Sequence, residues 1–341
     1  MKVKWGVIGC GGIADRRTLP GMMLAENAEL IAVMDVNHEA ANLCKEKYNA
    51  KYAFDKAEDL LALEEIQAVY IASPVFCHKE HVTLAAKAKK HILLEKPMGL
   101  SVKESEEIDK ICKNEGVKLG VAFMMRFHSY HQKIREIIAG GTLGEIVSAK
   151  AQFTCWYPEI ENCWRQNREL SGGGAMFDMG IHAIDLIRYI TGLEIAETSG
   201  FCGNQVFKYN VDDAGIGIYK MENGALCTVQ ASFNIPDSVS ESTLEFYGTK
   251  GSIVAKGTLS QVEEGTVEIL SVSDAGEYDA QQNRSTVKPI SLDVTFGNMY
   301  TKEIEAFGKA VLEEDEIPVT AEDAICSQKA IEEVYKLNSY V

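Results

Sequence analysis

Along the first third of the chain, short apolar runs alternate with stretches in which apolar residues recur at helical spacing. The runs fall at residues 3 to 8, Glu29 to Asp35, Ala68 to Ala72, His91 to Leu94 and Val117 to Phe123. Between them, helical spacing predicts helices running toward Leu24 and over Glu39 to Tyr48, Ala57 to Leu63, Glu80 to Lys89 and Lys103 to Asn114. Strands alternating with helices predict a doubly wound parallel sheet with helices on both faces, whose carboxyl edge receives ligands. From Gly144 the period changes to strict alternation, at Glu145 to Trp156, Glu197 to Phe207, Ala214 to Met221, Ala225 to Phe233, Ser242 to Tyr247 and Ser252 to Ala255. With Asn223-Gly224 as a hairpin turn, these predict a large, mainly antiparallel sheet of at least five strands.

The division follows: an α/β domain over 1–123 and an α+β domain over 124–341. The helix beginning near Ser171 and the final helices, Asn298 to Leu312 and Ala321 to Leu337, are expected to cover one face of the second sheet. The other face then needs a cover, which points to a homodimer or homotetramer built through that sheet. Ser271 to Ser285 is expected to be a polar loop.

The stretch from Ser171 to Asp185 stands out within this frame. Gly172-Gly173-Gly174 leave the backbone bare, so that a ligand can come close to it, and a helix is predicted to follow. On that helix Asp178, His182 and Asp185 fall at i, i+4 and i+7, giving one ionisable face opposite an apolar one.

Composition narrows the classes. At 341 residues, 46% hydrophobic and 25% charged, the chain has material for two cores. Its nine cysteines are scattered, without a Cys-x-x-Cys pair, which reads as reduced thiols in a cytoplasmic setting and neither a disulfide framework nor a metal finger. The first apolar run breaks at glycines after a few residues, and no stretch approaches a membrane span, so neither a signal peptide nor a membrane partner is expected. A formal charge of −16 with dispersed Lys and Arg argues against nucleic acid. A local cluster of Arg126, Arg165 and Arg168 could still hold a small anion. No metal site is expected, because no His or Cys cluster completes a ligand set.

The candidate chemistry lies at the strand ends. Gly9-Cys10-Gly11-Gly12-Ile13-Ala14 joins the first apolar run to a helix, the arrangement that lays a pyrophosphate on a helix N-terminus. Asp35 closes the second run, about 20 residues on, where a carboxylate accepts bonds from ribose hydroxyls and repels the 2′-phosphate of NADP. NAD is therefore the expected cofactor, ahead of NADP. Ser73-Pro74 and Glu95-Lys96-Pro97 end later runs and belong on the same edge; Pro97 stiffens the loop that carries the Lys96 ammonium.

These landmarks resemble the glucose-fructose oxidoreductase, inositol dehydrogenase and rhizopine-catabolism family (Gfo/Idh/MocA) over essentially the whole chain. The matching segments include Val7 to Ala14, Ile71 to Pro74 with His78 and His81, His91 to Pro97, Leu143 to Ile146, Trp164-Arg165 and Gly172 to Asp185. The resemblance implies a nicotinamide cofactor in the first domain and a sugar or cyclic polyol presented by the second. It implies Lys96, Asp178 and His182 as the catalytic set, with Arg126 also on the substrate side. It further implies Glu95 by the nicotinamide ribose and His78, Trp164, Arg165 and Tyr300 on the cofactor side. Where many members carry Asn or Tyr before an Arg-Phe pair, this chain has Met124-Met125-Arg126-Phe127, so substrate preference does not transfer.

The residues support such chemistry on their own terms. Oxidation of a secondary alcohol needs a base whose pKa lies near working pH, which an imidazole has without help. His182 is the expected base, Lys96 the group that stabilises the alkoxide or itself takes the proton, and Asp178 the group that orients the imidazole or holds a neighbouring hydroxyl. Two other readings share the fold: an NAD-using glycoside hydrolase working by oxidation and elimination, and a cofactor-sensing regulator, against which Lys96, Asp178 and His182 together argue.

Overall fold

The computed structural model describes residues 1–273, 276, 280–281 and 287–338. It divides into two compact units, Met1–Met124 with Asn167–Gly172 and Asn298–Lys329, and Met125–Gln166 with Gly173–Gly297 and Ala330–Val341.

The first unit holds a six-stranded parallel sheet in the order β3-β2-β1-β4-β5-β6. Its strands are β1 (Val3–Ile8), β2 (Ala28–Met34), β3 (Tyr52–Phe54), β4 (Ala68–Ile71), β5 (His91–Glu95) and β6 (Leu119–Ala122). All four residues of β4 and the centre of β5 are buried, as expected where helices cover both faces of a sheet and strands read as unbroken apolar runs. The predicted helices are present at His38–Tyr48, Ala57–Leu61, His78–Lys87 and Val102–Glu115. Strand β3 was not expected: it is three residues long, at the sheet edge and partly exposed, so it leaves no apolar run to read.

One expectation is corrected here. The helix Met299–Val311 lies in the first unit, where the Phe307 ring packs on Trp5 with centroids 5.8 Å apart and a Cβ on Gly120 would come within 2.7 Å of it. Thr301 Oγ1 donates to Gly21 O at 2.8 Å. The apolar period of the helix marks a buried face but does not say which sheet that face meets. The last helix, Ala321–Leu337, likewise gives its residues through Lys329 to the first unit and only its end to the second.

The second unit holds an eight-stranded sheet in the order β14-β13-β12-β11-β7-β10-β9-β8. In chain order these are β7 (Ile146–Thr154), β8 (Ile195–Gly203), β9 (Ala214–Met221), β10 (Leu226–Ser232), β11 (Thr243–Gly248), β12 (Gly251–Lys256), β13 (Thr266–Ser271) and β14 (Ile290–Ser291). Every pairing is antiparallel except β7 with β10. Gly224, at φ 89°, turns the β9–β10 hairpin at the predicted place. Strands β13 and β14 exceed the expected set, and most of the supposed loop Ser271 to Ser285 lies outside the described residues. Tyr219, Val229, Leu244, Phe246 and Ile253 point to the buried face, while Phe201, Ile218 and Leu226 stand exposed on the other. The turn Met176–Gly180 and the helix Ile181–Thr191 pack on the buried face, and the helix Ser129–Ala139 packs on Ile181–Thr191 in turn.

Candidate active site

The order of the first sheet reverses between β1 and β4, so the crevice beyond their carboxyl ends is its ligand edge. Gly9 ends β1 at φ 98°, and a Cβ there would lie 2.8 Å from the Ser73 nitrogen, so the first glycine is fixed by its own chain. Gly11 and Gly12 differ: nothing stands within 4 Å of a Cβ built on either. A wide turn of π type, Ala14–Thr18, and the helix Leu19–Leu24 follow. Ile13 is half-buried, whereas the Cys10 side chain is buried, its Sγ 3.4 Å from Met34 O, so only the Cys10 backbone belongs to the ligand edge. Asp35 does more than face outward. Its Oδ2 accepts the Cys10 amide at 2.9 Å and its Oδ1 the Asn37 amide at 2.9 Å, so the carboxylate that ends β2 also holds the glycine turn.

Lys96 sits half-buried just past β5, before the cis Lys96–Pro97 bond. Its loop is tied down on several sides. One ring nitrogen of buried His78 faces Ser73 O at 2.9 Å and the other faces Pro97 O at 3.1 Å, linking the Ser73-Pro74 and Lys96-Pro97 strand ends. Burial pushes the His78 pKa down to about 4, so the ring is neutral near pH 7 and one nitrogen donates. The resemblance placed His78 on the cofactor side; the structure makes it a buried strut between two loops of that side. Gln328 Nε2 donates to Gly99 O at 3.0 Å, and the Leu100 amide donates to Glu104 at 2.6 Å.

Glu95 accepts a short hydrogen bond from the Tyr70 hydroxyl, which also contacts Thr18 Oγ1 at 2.9 Å. Tyr300 and Glu303 lie close enough to feel the Glu95 charge, and both are buried. The Tyr300 hydroxyl and Glu303 Oε1 have no hydrogen-bond partner among the described residues. Burial, and after it the Glu95 charge, push the Glu303 pKa well above its ordinary value. Tyr300 is thus a core residue beneath the ligand edge, 2% exposed, its backbone amide capped by Asn298 at 3.0 Å.

The glycine run ends the first unit at Gly172 and continues into the second at Gly173 and Gly174, where the protein itself occupies it. Gly172 ends the short helix Arg168–Ser171 at φ 81°. A Cβ on Gly173 would lie 2.4 Å from the Tyr335 hydroxyl, and one on Gly174 would lie 1.9 Å from the Asp212 carbonyl oxygen. The bare backbone therefore admits Asp212 and Tyr335, not a ligand. Next comes a π turn, Met176–Gly180, and only then the α-helix Ile181–Thr191. The assumption of a single ionisable face is also corrected. Asp178 is half-buried, His182 is 3% exposed and Asp185 1% exposed, because the helix lies between the sheet and the helix Ser129–Ala139 and is buried on all sides. Asp178 lies within the π turn and His182 in the α-helix that follows, so their separation is not one regular α-helical turn.

Arg126 also departs from expectation. Its Nε and Nη2 donate to the two carboxylate oxygens of Asp185 at 2.8 and 2.6 Å, and its guanidinium lies 5.0 Å from the Tyr189 ring centroid. It is 6% exposed, so it is a buried fork-to-fork ion pair in place of an anion holder. The exposed Arg165 guanidinium stacks on the Trp164 ring at 4.3 Å, in a loop that Gln166 closes through Pro158 O and the Ile160 amide. Lys96 stands on the first unit, Asp178, His182, Trp164 and Arg165 on the second. No cluster of metal-ligating side chains occurs among the described residues. No helix among the described residues is long and apolar enough to cross a membrane.

Comparison with known proteins bears on the family of the chain. The model of the oxidoreductase family with an NAD-binding Rossmann fold matches residues 3–123, and the GFO/IDH/MocA C-terminal domain matches residues 131–254. The chain is 31% identical over 258 residues to oxidoreductase P35 of Formosa agariphila, covering 74% of this chain and 78% of that one. To D-xylose 1-dehydrogenase (NADP(+)) 2 of Haloferax volcanii it is 27% identical, covering 97% and 96%. A levoglucosan dehydrogenase solved with NADH and levoglucosan superposes with a TM-score of 0.85 at 21% identity, covering 99% of this chain and 98% of that one.

Proposed function

Because the chain belongs to the GFO/IDH/MocA family of NAD(P)-binding oxidoreductases, we propose that it is an NAD-dependent dehydrogenase of a secondary alcohol on a sugar or cyclic polyol. The observation that carries this reading is the carboxyl edge of the first sheet, where the open Gly11-Gly12 turn follows β1, Asp35 follows β2 and the braced Lys96 loop follows β5. These residues fit a dinucleotide: Gly11 and Gly12 leave the room that side chains would fill, and Asp35 offers a carboxylate to a ribose. When bound, the nicotinamide supplies the hydride acceptor. The chain's own residues do the rest. His182 takes the hydroxyl proton, the Lys96 ammonium stabilises the developing alkoxide, and Asp178 orients the imidazole or holds a neighbouring hydroxyl.

Asp35 supports NAD over NADP by the repulsion it would exert on a 2′-phosphate. A second copy of the chain is the partner that would cover Phe201, Ile218 and Leu226 on the open sheet face, and light scattering should then find a dimer or tetramer. The mechanism is tested on His182→Asn, which should lower kcat/KM for alcohol oxidation about 100-fold and remove the acid limb of its pH profile. An acid limb that survives with an unchanged midpoint would hand the proton to another group, Lys96 first. Lys96→Ala should stop turnover while NADH binds within a few fold of wild type.

A further inference from the structure

We propose that Asp212, backed by Tyr335, is a positioning residue of this dehydrogenase, holding in place the turn that carries Asp178. The inference rests on the functional reading above for its catalytic consequence, but its structural part does not.

The first turn of any helix leaves backbone amides without partners, and a side chain just before the helix normally caps them. Before Met176 stand Ala175 and three glycines, none with a side chain that can accept a hydrogen bond. The acceptors come instead from far along the chain. Asp212 Oδ1 accepts the Gly174 amide at 2.8 Å, its backbone oxygen accepts the Ala175 amide at 2.9 Å, and its Oδ2 accepts the Met176 amide at 2.9 Å. Three consecutive amides thus meet one residue. The Tyr335 hydroxyl donates to Asp212 Oδ1 at 2.6 Å, which fixes the carboxylate from behind. From Gly174 the constraint passes directly onward, since Gly174 O accepts the Asp178 amide at 2.8 Å.

Asp212 is fully buried, and burying a carboxylate is costly unless its oxygens are met. Burial raises its pKa, while the bonds from Met176, Tyr335 and Gly174 pull the other way. An apolar residue would pack here without that cost but could not hold three amides. The glycines complete the device: any side chain at Gly173 or Gly174 would collide with Tyr335 or Asp212.

The test uses the full chain with Asp212→Asn and, as the milder change, Tyr335→Phe. Each variant is compared with wild type in amide exchange over residues 174–182, in NADH affinity and stoichiometry, and in kcat per NADH-binding site. We expect exchange to accelerate locally, kcat per site to fall about tenfold or more in Asp212→Asn and less in Tyr335→Phe, and KM for NAD to stay within twofold. Counting per binding site removes any unfolded fraction, so a merely structural role would leave that kcat unchanged. The proposal is overturned if exchange stays at wild-type protection, or if it accelerates while kcat per site stays within twofold. Should Asp212→Asn not fold, Tyr335→Phe decides by the same two readouts. A wild type that oxidises no sugar or polyol would sink the functional reading and with it the catalytic part of the proposal, while the exchange arm would still judge the anchor.

Discussion

Two glycine-rich turns look alike in the sequence and serve opposite ends in the structure. Around Gly11 and Gly12 the missing side chains leave open space, whereas around Gly173 and Gly174 they leave room that Asp212 and Tyr335 fill. A run of glycines therefore announces close approach without saying what approaches. At the first turn the space stays open, where the proposed function puts the dinucleotide; at the second, the chain uses the place itself to fix the turn bearing Asp178.

Alanine substitutions break the comparison most sharply. Gly174→Ala must displace a backbone carbonyl, and should cost about 3 kcal/mol or more of stability, read as a lower urea midpoint. Gly11→Ala should leave that midpoint unchanged and instead weaken NADH binding about tenfold, because its Cβ enters the space kept for the ligand. Equal effects of the two substitutions on stability would erase the distinction.

A smaller effect compares the two units through their buried histidines. His78 braces the strand ends of the first, and His131 ties Met125 O at 2.7 Å to Thr258 Oγ1 at 3.0 Å in the second. Burial lowers their pKa values to about 4 and about 3, with neighbouring His128 adding to the depression at His131 and Glu263 opposing it. Below the ordinary imidazole value, the unfolded chain binds protons that the folded one refuses, so stability falls as pH drops from about 6.5. Each histidine should remove about 2 kcal/mol between roughly pH 7 and pH 5. Chemical denaturation of His78→Gln and His131→Gln across that range should show a shallower acid slope in each; an unchanged slope in either would mean that its imidazole is protonated when folded.

How far the sequence could be read divides along the same line. The parallel strands, Asp35 and the Lys96 loop were legible because each is local: an apolar run, an acid at its end, a proline beside a lysine. What fills the second glycine run was not, because Asp212 lies 38 residues from Gly174 and Tyr335 lies 123 from Asp212. The pairing of Arg126 with Asp185 hid for the same reason, 59 residues apart, each residue alone reading as a surface charge. The helix Met299–Val311 showed a buried face with nothing to identify its sheet, and β3 and β14 are too short to carry a period. The sign of the anchor in the sequence is an acid pair, Asp212-Asp213, directly before an alternating strand that buries one face, where acids are rare.

Asp35→Ser gives the smallest expected change. It removes the charge facing a 2′-phosphate and one acceptor of the Cys10 amide, so it should narrow the preference of NADH over NADPH by a few fold in a binding titration. Unchanged preference would take Asp35 out of cofactor selection.

The central claim, a dehydrogenase of sugar or polyol alcohols that uses NAD, is tested most directly by incubating the wild-type protein with neutral and phosphorylated sugars and inositols, with NAD or NADP, and following reduced cofactor by its absorbance. The account predicts that at least one such alcohol drives net accumulation of NADH, faster than of NADPH. Release of free sugar from a glycoside without accumulation of reduced cofactor, or no turnover of any alcohol despite tight NADH binding, would contradict it.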